Sequence, residues 1–284
     1  MPKVFLDYDQ AALDAALNNR AQVPDHQDYF DRWASQSEQA RQRIAGHWDM
    51  AYGPGLRQKL DYFPARRGGP LLVFIHGGYW QALDHKMFGF LAPRFVDAGI
   101  NFAAIGYDLC PAVSIATIGR QMRDGVAFLH GQAANLGFDA GRMFVCGHSA
   151  GGHLSALLAQ TDWTRHGLAD NAIKGAMPIS GLYDLEPIRL SYLNANVKLD
   201  AAMATAESPL AHIPKKAPPL LLICGAAELA EFPRQQRQFA AAWQKAGLGV
   251  RQVELAGCNH FSILDGINPQ TASPWAEIRT LMGV

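Results

Sequence analysis

The sequence predicts an α/β fold in which a mostly parallel central sheet carries helices on both faces. Three observations predict it. From Leu56 onward, short apolar runs alternate with amphipathic segments, the order expected of parallel strands joined by helical crossovers. Leu71-Leu72-Val73-Phe74-Ile75 is apolar at every position, as a strand covered on both faces must be. Gly147-His148-Ser149-Ala150-Gly151 lies between an apolar run and a helical segment, so a sharp strand-to-helix turn is expected there.

The elements follow in order. Asp9 to Asn19 and Gln27 to Trp48 read as helices separated by Pro24-Asp25, so residues 1–55 form a helical N-terminal extension. Residues 56–284 form the catalytic core of a single domain. Leu56 to Phe63 is a candidate edge strand. Strands are expected at Leu71–Ile75, Asn101–Tyr107, Met143–Cys146, Ile173–Ile179, Leu220–Cys224 and Val250–Leu255. Helices are expected at Phe88–Ala98, Ile115–Leu136, Gly152–Gln160, Phe232–Ala246 and Trp275–Met282, several closed by glycine. Glu186 to Pro219 lacks strand signals and reads as an excursion.

Composition narrows the function class. The chain has 284 residues, 49% hydrophobic and 18% charged, with a formal net charge of zero. That supports a sizeable core and offers no basic field for nucleic acid or an anionic membrane. The start lacks the apolar run and small-residue cleavage site of a signal peptide, and no apolar run is long enough for a membrane span, so a cytoplasmic protein acting on a small molecule is expected. Oligomeric state is left open, a homodimer included. The four cysteines form no C-x-x-C pair and read as reduced and structural, so neither a zinc site nor another metal is expected.

The turn around Ser149 matches G-x-S-x-G. A nucleophile must stand clear of the sheet on a strained turn, and glycines at 147 and 151 let strand and helix approach closely. The following helix directs its N-terminal N–H groups toward developing negative charge. A serine that merely caps the helix is the alternative, and the strand-turn-helix setting favours the nucleophile. The expected architecture is therefore the α/β-hydrolase fold. His76-Gly77-Gly78-Tyr79-Trp80 follows directly on the Leu71–Ile75 strand. Glycines there let backbone N–H groups approach an oxyanion, so Gly77, Gly78 and Ala150 are the candidate donors. Tyr79 and Trp80 are candidate substrate contacts by stacking, with core packing the alternative for each. His76 is expected to brace the loop, and His148 and His153 to be structural.

In this fold the triad runs nucleophile, acid, histidine along the chain. Of the ten histidines only His212 and His260 lie beyond residue 166, and His212 precedes the late strand, so His260 is the base. The acid should follow Leu220–Cys224, where Glu228 and Glu231 compete. Glu228 is the better placed, Glu231 could instead serve the next helix N-terminus, and Asp265 falls after the histidine.

With these residues placed, the chain resembles the kynurenine formamidase (arylformamidase) group of α/β-hydrolases, related to hormone-sensitive-lipase-type esterases. The likeness rests on His76-Gly77-Gly78-Tyr79-Trp80, Gly106-Tyr107-Asp108-Leu109-Cys110-Pro111 and Cys146-Gly147-His148-Ser149-Ala150-Gly151-Gly152-His153-Leu154. It continues through Ser180-Gly181-Leu182-Tyr183-Asp184-Leu185, Glu231-Phe232-Pro233-Arg234-Gln235 and Asn259-His260-Phe261. The resemblance implies a triad of Ser149, Glu228 and His260, although the family commonly places Asp where Glu228 stands. It also implies acyl transfer from N-formyl-L-kynurenine, giving kynurenine and formate with no cofactor. A general carboxylesterase or another amidase on the same scaffold is the alternative. A non-catalytic ligand-binding relative is a third reading, disfavoured because all three triad positions are filled.

Overall fold

The computed structural model describes residues 2–284. Its centre is an eight-stranded sheet in the order β1-β2-β4-β3-β5-β6-β7-β8. The strands are β1 (His47–Ala51), β2 (Lys59–Phe63), β3 (Leu71–Ile75), β4 (Asn101–Ile105), β5 (Met143–His148), β6 (Ile173–Ile179), β7 (Leu220–Gly225) and β8 (Val250–Leu255). β3 through β8 run parallel, while β2 lies antiparallel to β4 and β1 antiparallel to β2. This is the α/β-hydrolase sheet.

Parallel pairing explains the sequence pattern. Every residue of β3 and β4 is buried, because helices cover both faces. Each large apolar side chain withdrawn in this way contributes about 1.5–3 kcal/mol of transfer free energy. Two apolar clusters result, one on each face of the sheet. The long helix Ile115–Leu136 starts with Ser114 accepting from Thr117 N–H and ends at Gly137 with φ 82°, the cap and stop its sequence announces.

The N-terminal region differs from its expected form. Helices cover Gln10–Ala16, Asn19–Gln22 and His26–Arg43, but the last stops before Ile44, whose backbone is extended. His47–Ala51 is then a strand, so β1 and not β2 forms the sheet edge. Trp48 leaves the helical stripe expected of it and packs on Phe63 of β2, ring centroids 4.9 Å apart. Gly46 permits this, since a Cβ there would collide with the Tyr62 carbonyl oxygen. The segment expected as a helix at Phe88–Ala98 is a 3₁₀ turn, His85–Leu91, running into a short helix, Ala92–Val96.

An ion network ties this edge to the turn. Arg41 Nε donates to Asp61 at 2.9 Å, Lys86 pairs with Asp49 at 2.7 Å, and His85 lies between Asp49, Asp61 and Asp84. Burial disfavours the His85 cation, but the carboxylates of Asp61 and Asp84 beside it outweigh that and raise its pKa. Among the described residues no helix is long and apolar enough to cross a membrane.

Candidate active site

Strand register places the chemistry. Ile75 at the end of β3 pairs with Gly147 of β5, so the His76–Gly78 loop leaves the sheet beside Ser149. Gly225 at the end of β7 pairs with Leu255 of β8, so Glu228 and His260 leave from neighbouring strands. All four segments emerge at the carboxyl edge, next to the point where the strand order reverses, where open α/β sheets bind ligands.

Ser149 has φ 58° and ψ −118°, a backbone conformation unfavourable for a residue with a Cβ. Such strain costs on the order of 1–3 kcal/mol and needs support from its surroundings. The support is on both sides: Ser149 N–H donates to Ile179 O at 2.8 Å, and Ser149 O accepts from His153 N–H at 3.1 Å. The glycines are sterically required. A Cβ at Gly147 would meet the Gly151 carbonyl, and one at Gly151 the carbonyls of Ile75 and His76.

His260 and Glu228 form a direct pair, Nδ1 to Oε2 at 2.7 Å, with both side chains almost fully buried. With the carboxylate as acceptor, Nδ1 carries the proton and Nε2 keeps its lone pair. The other oxygen, Glu228 Oε1, accepts from Ser180 Oγ at 2.5 Å and from Gly225 N–H at 2.8 Å. The imidazole is packed by Phe232, centroid 4.5 Å away, and His148 at 4.6 Å. Glu231 is turned elsewhere: Arg234 Nε donates to it at 2.8 Å and Gln235 Nε2 at 2.9 Å.

The glycine loop lies against the elbow. A Cβ on Gly77 would stand 2.8 Å from His148 O and 3.0 Å from the Ser149 Cβ. Gly78 has φ 105°, and a Cβ there would enter the Ala82 carbonyl. Among the described residues, the N–H groups of Gly77, Gly78 and Ala150 have no acceptor within the protein. Buried backbone N–H groups are seldom left so. His76 stacks on Tyr107, centroids 4.2 Å apart, and its Nδ1 lies 2.8 Å from Gly77 O. Burial lowers its pKa to about 3, so it is a neutral brace.

Ser149 and His260 open into one cavity of about 420 Å³, lined also by Gly78, Tyr79, Phe30 and Trp33. The N-terminal helices therefore form part of its wall. Tyr79 contributes its ring, while its hydroxyl donates to Leu17 O at 2.7 Å and accepts from Asn19 Nδ2 at 3.2 Å. Trp80 corrects the expectation of a substrate contact. It is wholly buried and takes no part in the cavity wall; its Nε1 donates to His153 Nδ1 at 3.3 Å. Tyr79 and Trp80 both have positive φ, so the chain turns sharply after Gly78. His153 is structural, with Nε2 donating to Glu207 O at 2.7 Å and burial lowering its pKa to about 4.

Asp49, Asp61 and His85 bring ligand-type atoms within 4.8 Å of one another. Arg41 and Lys86 already compensate those carboxylates, which makes the group an ion network. Ser180, Asn19 and Arg20 had no assigned role in the sequence reading. Only Ser180 carried a signal: it follows β6, whose end lies between those of β5 and β7.

Known proteins resemble this chain in sequence and in fold. The BD-FAE family model matches residues 61–242. Kynurenine formamidase from Danio rerio is 33% identical over 239 residues, covering 81% of this chain and 80% of the relative. The chain belongs to this family of α/β-hydrolases. It is a serine hydrolase. Esterase LipQ from Mycobacterium tuberculosis is 28% identical, covering 75% of this chain and 56% of that protein. The crystal structure of a chain from Silicibacter sp. TM1040, assigned as a thioesterase, superposes with a TM-score of 0.81 at 31% identity, covering 96% of this chain and 99% of that one.

Proposed function

We propose that this hydrolase is an arylformamidase that converts N-formyl-L-kynurenine to kynurenine and formate through Ser149, His260 and Glu228. The observation that carries the catalytic assignment is the 2.7 Å Glu228–His260 bond on the wall of a cavity that also holds Ser149. The bond fixes the tautomer in which Nε2 takes the Ser149 proton as Oγ attacks the formyl carbon. Charge then develops on the formyl oxygen, where the free N–H groups of Gly77, Gly78 and Ala150 are the donors. Protonated His260 gives its proton to the departing arylamine nitrogen. Water, deprotonated by His260 in turn, attacks the formyl ester on Ser149 and releases formate.

The substrate assignment is supported by the kynurenine formamidase relatives and by aromatic side chains on the cavity wall. Tyr79, Phe30 and Trp33 suit an aryl leaving group. A carboxylesterase acting on short acyl esters is the second reading, favoured by the esterase relatives. The deciding measurement is kcat/KM for formylkynurenine, formanilide and short aryl esters under one condition. A formamidase ranks formylkynurenine first. Brisk ester turnover with formylkynurenine untouched would overturn the assignment.

A further inference from the structure

Ser149 and His260 line the cavity, and the chemistry they perform needs only an acyl group. The rest of the wall carries polar groups that acyl transfer does not use. Arg20 is the single cation among the lining residues, and no carboxylate lines the cavity. Among the described residues Arg20 enters no ion pair and no side-chain hydrogen bond. Its guanidinium is carried over the Phe30 ring, 5.6 Å from the centroid, which holds the charge at the mouth without neutralising it. Asp14, on the preceding helix, is occupied by the Tyr192 N–H at 2.9 Å and Gln10 Nε2 at 3.0 Å.

The neighbouring side chain supplies the opposite chemistry. Asn19 is 4% exposed, and its amide orientation is fixed because Nδ2 donates to the Tyr79 hydroxyl, which itself donates to Leu17 O. Its Oδ1 is buried and has no donor. Gln81 Oε1, also on the cavity wall, is a second buried acceptor without a donor. Buried acceptors left unpaired carry a desolvation cost that a bound donor would relieve. A cation and unpaired acceptors on one cavity wall complement a ligand that carries a carboxylate and an ammonium.

We propose that Asn19 and Arg20 form an α-amino-acid subsite that selects acyl substrates whose leaving group carries a zwitterionic amino-acid head. Arg20 takes the carboxylate, and Asn19 Oδ1 accepts from the ammonium. The subsite rests on the acyl-transfer reading of Ser149 but not on the acyl group being formyl. It is built wholly from the N-terminal extension, which gives that segment a role in selectivity.

The test uses aryl acetates with an ortho amino-acid chain, together with analogues in which the carboxylate is a carboxamide or the ammonium is absent. The wild-type enzyme is expected to favour the carboxylate over the carboxamide through KM, by about tenfold for a charge-assisted pair. In Arg20→Ala that ratio falls to near one, Arg20→Lys retains part of it, and Arg20→Glu inverts it. Asn19→Ala removes the preference for the ammonium and leaves the carboxylate preference standing. The proposal is overturned if wild type does not distinguish carboxylate from carboxamide. It is also overturned if Arg20→Ala weakens both equally, since a structural role moves the two together. The same pair of variants assayed on formylkynurenine and formanilide separates the two hypotheses. Absence of formamide turnover in wild type counts against the arylformamidase reading, while the ester ratios still decide the subsite.

Discussion

Glu228 holds His260 through one carboxylate oxygen and is itself held through the other. Oε2 lies 2.7 Å from His260 Nδ1, while Oε1 accepts from Ser180 Oγ and Gly225 N–H. A glutamate reaches one methylene further than an aspartate, and these two donors fix that longer arm. Glu228→Ala should lower kcat by on the order of 10⁴, the loss seen when the histidine's orienting partner is removed. Glu231→Ala should leave the kcat of folded protein within a few fold. It should instead cost on the order of 3 kcal/mol of stability, because Arg234 loses its buried partner. Steady-state kinetics with urea unfolding of both variants checks this, and equal mild losses would refute the acid assignment.

Ser180 touches Glu228 and does not line the cavity, so the role it is expected to play is positioning the acid. Ser180→Ala leaves a buried charged acceptor short of one donor, a deficit of about 1–3 kcal/mol. If half or more of that reaches the transition state, kcat falls about 2- to 160-fold with KM unchanged. Ser180→Thr retains the hydroxyl and should recover part of the loss. A change confined to KM would show that Ser180 does not orient the acid.

Gly78 is the loop position with the least tolerance. It has φ 105°, and any Cβ meets the Ala82 carbonyl. Gly78→Ala must shift the loop and with it the N–H groups of Gly77 and Gly78. Loss of one such donor costs about 10²–10³ in kcat. The expected signature is a kcat loss with little change in KM, measured on one substrate against wild type. Unchanged kcat would remove this loop from the oxyanion assignment.

Much of this was legible before the structure, for definite physical reasons. Strands buried on both faces advertise themselves as unbroken apolar runs, and Leu71–Ile75 and Leu220–Gly225 fall where that pattern puts them. The order of Ser149, Glu228 and His260 along the chain matched the order of strand ends that presents them. What escaped had weak or shared signals. β1 is only partly buried, so His47–Ala51 lacks a strand's apolar pattern. Trp80 and Tyr79 are both aromatic, and their sequence gives no sign that Tyr79 lines the cavity while Trp80 is buried. Asn19 and Arg20 carry no motif at all. Their placement depends on how the N-terminal helices fold back over the sheet, a long-range contact that no local pattern encodes.

The histidines buried behind the site make a prediction about acid. His76 and His153 are neutral when folded, their pKa values lowered by burial to about 3 and about 4, and His148 is lowered as well, by burial and then by His260. In the unfolded chain each titrates near 6.5. Between those values the unfolded state binds protons that the folded state refuses, so stability is full above about pH 6.5 and falls as pH drops. His76 and His153 each remove about 1.4 kcal/mol per pH unit in that window, or about 2 kcal/mol between pH 6.5 and 5. His153→Gln keeps a donor for Glu207 O but cannot titrate. It should be less stable than wild type at pH 7, where the Trp80 contact is lost, and the gap should close by about 2 kcal/mol at pH 5. Urea midpoints at the two pH values measure that closure. Parallel curves for variant and wild type would mean that His153 takes up its proton as readily folded as unfolded, and the neutral packing of Trp80 against it would have to be abandoned.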